Sequence, residues 1–372
     1  MRMQILFGAL TIAVVGPALA QAPLVVHEWG TITTIHDAAG KPQGGLNRIA
    51  TSEVLPDFVY RYEPESTRKN PNRSTGKSPL VPGRPDVTMR LETPVIYFYP
   101  TAGETIEPFD VTVKFHGGVL NEYYPNSDPN VWVDMERVAA KQRAGKVIPW
   151  NGDVLRNYVV SQLKWKGLTL SESDSGTPPP TTNPIWLAPR AVRASSVVTA
   201  DGESERYLFY RGVAHLDALF QTRLEPTHLE LDAPARFEWL KADSANIAHV
   251  WLADIRSDGK AAFREQADVE LRADSVSVEV ARLLRFAPGD FSVARAAALR
   301  ESMRRQLIAR GLFDDEAEAM LQTWKASYFQ KPGLRIFYIV PSAWLDYFLP
   351  LQVSTPREVK LTRVIVGRID LK

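Results

Sequence analysis

The chain has 372 residues, 45% hydrophobic and 23% charged, with 44 basic residues against 43 acidic ones and no cysteine. A net charge this close to zero argues against nucleic acid or an anionic membrane surface as partner. The lack of Cys excludes disulfides, thiol nucleophiles, Cys-ligated zinc and iron–sulfur clusters.

Residues 1–20 read MRMQILFGALTIAVVGPALA. Arg2 supplies a positive start, Ile5 to Val15 an apolar stretch too short to span a bilayer, and Ala18-Leu19-Ala20 a cleavage site. This pattern predicts a signal peptide and an exported, periplasmic or extracellular protein. Removing Arg2 leaves 43 basic residues against the same 43 acidic ones. No second apolar run is long enough for a transmembrane helix.

Residues 21–173 read as a β-rich portion. It opens with LVVHEWGTITTI, Leu24 to Ile35, where β-branched and polar residues alternate. Residues 62–86 hold five prolines and five basic residues and read as a long polar loop. Pro94 in LETPVIYFY predicts an edge, a bulge or two short strands, because proline cannot donate to a ladder. In FDVTVKFH, Phe109, Val111, Val113 and Phe115 share one face.

Residues 174–184 read as a Pro/Thr-rich linker or loop, and 185–289 as a second β-rich portion with a turn at Asp258-Gly259. From Asp290 or Ser292 the period changes. Ala296, Leu299, Met303 and Leu307 step by three and four, and Gly311 ends that helix. A second helix starts at Asp314 or Asp315 with the stripe Ala317, Leu321, Trp324, Tyr328, and Pro332-Gly333 stops it. A buried strand (LRIFYIVP), a short helix (SAWLDYF) and a last strand close residues 290–372. The predicted fold is mainly β (α+β): antiparallel sandwich-like sheets with a C-terminal helical hairpin and closing strands.

The chemistry-bearing candidates start at His27-Glu28. A zincin helix would need a second His at position 31, which is Thr, and the segment reads as a strand. On a strand His27 and Glu28 face opposite ways unless Gly30 marks a bulge. Trp29 brackets His27's side and marks it as the core side, which leaves Glu28 as the residue to watch. Glu92 and Glu122 sit in aromatic, β-rich runs, where apolar walls would raise a carboxyl pKa toward acid–base work. Arg90, Arg211 and Arg335 lie in equally apolar runs, so Glu–Arg ion pairs satisfy the same pattern. The catalytic candidates are therefore His27, Glu28, Glu92, Glu122 and Arg211. His228, Glu230 and Asp232 alternate on one strand face and form a weak metal alternative. His215-x-Asp217 is weaker still. No nucleotide-binding glycine motif is present, and no cofactor is predicted.

The stretches VHEWGT (26–31), LPDF (55–58), LETPVIYFY (91–99), NEYYP (121–125), LFYRG (208–212), TWKASYF (323–329), IVP (339–341), LPL (349–351) and VGRI (366–369) run through nearly the whole chain. Together they resemble an uncharacterised family of secreted bacterial proteins whose mature chain opens with VHEWGT. Ile32 and Tyr123 stand where that family commonly carries an aromatic residue and a Trp. The resemblance implies export and a shared fold, and supplies no reaction. Two functions follow as expectations: a protein that binds a ligand or partner outside the cytoplasm, or a hydrolase using Glu/His acid–base chemistry in a cleft between the β portions.

Overall fold

The computed structural model describes residues 21–44, 46, 55–62, 87–145, 158–171, 177–234, 236–273 and 278–372, the backbone alone over 278–284. The segment 1–20, nearly all of the loop 62–86 and the start of the stretch 174–184 lie outside the described residues.

The chain is mainly β. A nine-stranded sheet runs β14 (Ala261–Arg272), β13 (Ser244–Ile255), β16 (Gly333–Ile339), β18 (Val359–Leu371), β1 (Leu24–His36), β3 (Met89–Tyr99), β10 (Leu208–Ala214), β5 (Gly118–Tyr124), β2 (Tyr60–Arg61). Strands from the first β portion, the second and the C-terminal region thus interleave in one sheet. Every pair is antiparallel except β1 with β18, which joins the chain's beginning to its end in parallel over Leu24 to His36.

One face of this sheet packs on two smaller sheets. The first is β17 (Leu351–Ser354), β4 (Phe109–His116), β7 (Val159–Ser171), β8 (Ser196–Val198) and β9 (Ser204–Glu205), with β6 (Asp128–Val133) paired to β7. The second is β11 (Gln221–Leu224), β12 (His228–Asp232) and β15 (Val278–Leu284). Ile96, Phe98, Tyr210 and Ile365 of the large sheet meet Phe109, Val111, Val113 and Phe115 in this core. The alternation read in FDVTVKFH is the one observed.

The other face carries helices. Trp29, Val95, Phe209, Trp251 and Phe337 pack on Leu299, Met303 and Leu307 of α3 (Val293–Ala309) and on Ala317 and Leu321 of α4 (Asp314–Thr323). Among the described residues, three further α-helices precede or follow this hairpin: α1 (Met135–Arg143), α2 (Pro184–Arg190) and α5 (Ser342–Phe348). Ser292 caps α3 by accepting from the Arg295 amide at 3.1 Å. Helix α2 sits where the sequence reads a linker passing into strand. Asn183 caps it and Pro184 opens it, both ordinary helix-start signals.

Pro94 lies in an interior strand, not at an edge. β3 stays continuous because its ladders slip on both sides, between Trp29 and Thr31 and between Phe209 and Gly212. A Cβ on Gly30 would stand 2.9 Å from Pro94 Cα, so only glycine permits that approach.

At the end of β1, fully buried His36 meets the Thr222 hydroxyl at 3.0 Å through Nδ1. Burial lowers its pKa to about 4, against a smaller raising effect of Asp37. The unfolded chain takes up this proton near pH 6.5 while the folded chain stays neutral, so stability should fall as pH drops from 6.5 to 4. The shift corresponds to about 3 kcal/mol. Urea midpoints at pH 7 and pH 4.5 measure this, and His36→Gln should flatten the slope in that window. An unchanged slope in the variant would contradict it.

Candidate functional site

Strand parity separates His27 from Glu28. His27, 3% exposed, points to the helical layer, where its Nδ1 lies 2.7 Å from Glu316 Oε2 of α4. Glu316 is wholly buried and also accepts from the Tyr99 hydroxyl at 2.8 Å and from the Phe313 amide at 2.7 Å. Phe313 lies over the imidazole with ring centroids 4.6 Å apart. Glu316 was not among the sequence candidates. Its signal is the N3 position of an acidic first turn, where a Glu reaches back to the helix start.

Glu28 points to the opposite face. The face of Glu28, expected to be the less buried of the two, is core as well: the sheet is covered on both faces, and Glu28 is 0% exposed. It accepts from the Tyr210 hydroxyl and from Arg363 Nε at 2.7 Å, and Arg363 Nη2 donates to the Leu349 carbonyl at 2.7 Å. Burial works against the Arg363 charge, but Glu28 and Tyr210 more than offset it and raise its pKa.

Glu92, Glu122 and Arg211 fall in one buried band. Arg90 Nε stands 3.9 Å and Arg368 Nη2 3.8 Å from Glu92 Oε1. Arg211 Nη1 is 3.5 Å from Glu122, which Arg61 approaches at 3.4 Å. Arg211 Nη2 also donates to the Thr93 hydroxyl at 3.3 Å. Burial alone would raise the Glu92 pKa. Arg368, Arg90 and Arg211 outweigh it and hold the carboxyl below its ordinary range. That is the reverse of what a general acid needs. These groups lie within the layers of the fold, so the expected cleft between β portions does not contain them.

His228, Glu230 and Asp232 do share a face, but a cation already holds two of them. Arg223 Nη1 is 3.1 Å from Glu230 and its Nη2 is 3.0 Å from Asp232, while His228 Nε2 is 3.3 Å from Glu230. Among the described residues, no group of three or more His, Cys, Asp or Glu side chains is placed to hold a metal ion.

An open cleft of about 430 Å³ lies elsewhere, between α1, α5 and the segments after β10 and β12. Asp134 caps α1 by accepting from the Arg137 amide at 2.9 Å. Arg137 and Lys141, one turn apart, therefore share a helix face. Both donate to Glu238, each at 2.7 Å. Burial would raise the Glu238 pKa, but Lys141 and Arg137 outweigh it and keep the carboxylate ionised. Trp344 and Phe348 of α5, again one turn apart with centroids 4.8 Å from each other, supply a buried apolar wall. Trp239 and Leu219 add to it. Arg236 lines the same cleft, is exposed, and has no ion-pair partner among the described residues. Asp217, His215 and Tyr158 also line it. The pair passed over as a weak ligand motif thus borders the cleft. Sequence reasoning missed Arg137, Lys141, Arg236, Trp239 and Trp344. The basic i,i+4 pair behind a capping Asp and the basic–aromatic run ARFEWLK (235–241) were the available signals.

No model of a known protein family matches the sequence, and a search of curated proteins also finds no match.

Proposed function

We propose that this chain is an exported binding protein whose cleft seats a small anion with a flat apolar body. The observation that carries the reading is Arg236, a cation with no ion-pair partner among the described residues, beside an aromatic wall in a cleft of about 430 Å³. The cleft is concave and its lining is more polar than apolar, so its charged groups select the guest while Trp344, Phe348 and Trp239 supply a limited apolar wall. Three cations, Arg137, Lys141 and Arg236, stand against two carboxylates, Glu238 and Asp217, which favours a negatively charged guest. Glu238 holds Arg137 and Lys141 in place before any ligand arrives, which lowers the entropy cost of binding. Binding stands ahead of acid–base hydrolysis because His27, Glu28, Glu92 and Glu122 are each engaged within the layers of the fold. The leader-like residues 1–20 and the resemblance to secreted proteins support a site of action outside the cytoplasm.

Calorimetric titration of the exported chain with 2-naphthoate tests this. Its first residue should be Gln21, and retention of Arg2 would remove the export part. One saturable site is expected, weakened about tenfold or more in the double variant Lys141→Glu, Arg236→Glu, since a hydrogen bond to a charged group contributes about 1.5–3 kcal/mol. Equal affinity in the variant, or for neutral 2-naphthamide, would overturn the reading.

A further inference from the structure

A second groove, of about 450 Å³, lies on the helical side of the molecule. It runs between the start of α2 and the end of α4 with the turn that follows. That turn, Ala326–Gln330, is a single π-turn, closed by the Lys331 amide donating to the Ala326 carbonyl at 2.8 Å. Such wide turns are frequent at functional sites.

The groove has three properties that belong together. Its walls include Pro184, Ile185 and Trp324, and its apolar lining exceeds its polar lining. Trp324 is 2% exposed, and its indole N–H has no hydrogen-bond partner among the described residues. A buried donor left unmade is costly, and a ligand oxygen is one way of satisfying it. The charged residues of the lining are Lys325 and Lys331, both exposed, and neither ammonium has an ion-pair partner among the described residues. Among the described residues, no carboxylate lines the groove. The electrostatics therefore select an anion, while the walls select hydrocarbon. The naphthoate cleft is lined by an entirely different set of residues.

We propose that this groove binds a long-chain acyl carboxylate, with the hydrocarbon on Pro184, Ile185 and the ring of Trp324 and the carboxylate between Lys325 and Lys331, one of its oxygens accepting from the Trp324 indole N–H. Burial of the chain drives the association, with a favourable free energy proportional to the apolar area removed from water. The two ammoniums fix its direction and discriminate against uncharged amphiphiles.

Equilibrium dialysis of the full exported chain against dodecanoate tests the proposal. One molecule per chain should bind. Lys325→Glu with Lys331→Glu should weaken it about tenfold or more, as should replacing dodecanoate by neutral dodecanol. Both lysines are exposed, so this variant should melt like the wild type. Trp324→Phe keeps the apolar wall and removes the N–H, and should weaken binding less than the lysine variant. The Lys141→Glu, Arg236→Glu variant of the other cleft should bind dodecanoate as the wild type does, which separates failure here from failure of the function proposed above. Wild-type affinity in the Lys325/Lys331 variant, equal binding of dodecanol, or loss of binding in the cleft variant would overturn the proposal. So would binding confined to phosphatidylglycerol vesicles with none to free dodecanoate, which would make the partner a lipid surface.

Discussion

Replacing Glu28 by Gln should cost about 3–5 kcal/mol of stability at pH 7, the range for removing one partner from a buried ion pair. Glu28 is wholly buried and ties three elements together: β1 that carries it, β10 through the Tyr210 hydroxyl, and β18 through Arg363. The Arg363 side chain is 6% exposed, so the neutral amide would leave its guanidinium with little water to turn to. Its remaining bond to the Leu349 carbonyl, 2.7 Å, does not neutralise it, and Asp346 at 3.6 Å is mostly exposed. Chemical denaturation measures the loss. The double variant Glu28→Leu, Arg363→Met should recover part of it, because a pair replaced by apolar side chains no longer leaves a stranded charge. A single variant within about 1 kcal/mol of the wild type would show that the pair is not closed in solution.

Glu92→Gln should be comparably damaging, by about 3–5 kcal/mol, because it too strands buried arginines. It removes the carboxylate next to Arg90 and Arg368 from a band that also holds Arg211, all three arginines 5% exposed or less. The pH dependence identifies the cause. A carboxyl held below its ordinary value stabilises the fold above the unfolded pKa of 4.5, and the contribution disappears as pH falls through the lower folded value. The gap between wild type and variant should therefore be widest near neutral pH and shrink only below pH 4.5. This window lies under that of His36, whose effect develops between 6.5 and 4. A gap independent of pH would assign the loss to packing instead of charge.

These two residues also mark how far the sequence can be read. Period two in Leu24 to Ile35 separates His27 from Glu28 correctly, because alternation is a local property of extended backbone. It does not say what covers each face. Glu28 looked like the outward residue because Trp29 claimed the other side, yet β1 is an interior strand with a sheet on one face and helices on the other. Its partner Arg363 lies 335 residues away, a pairing set by the parallel union of β1 and β18. The same holds for Glu316, whose helix and cap are legible but whose contact with His27 is not. The hairpin itself was plain: Leu299, Met303, Leu307, Ala317 and Leu321 are buried as their spacing predicts, with Ala296 half-buried. The second helix ends at Thr323, however, so Trp324 and Tyr328 are buried from the turns that follow it and not from a helix running to Pro332. The cleft was the least legible feature. It draws Arg137 and Lys141, Arg236 and Glu238, and Trp344 and Phe348 from three separate stretches, none of which carries a motif.

The binding reading makes one commitment that can be seen directly. A crystal of the protein soaked in 2-naphthoate should show the ring system against Trp239 and Trp344 and the carboxylate within hydrogen-bond distance of Arg236. An empty cleft at saturating 2-naphthoate, or the probe bound only among Arg90, Arg211 and Arg368, would contradict the account.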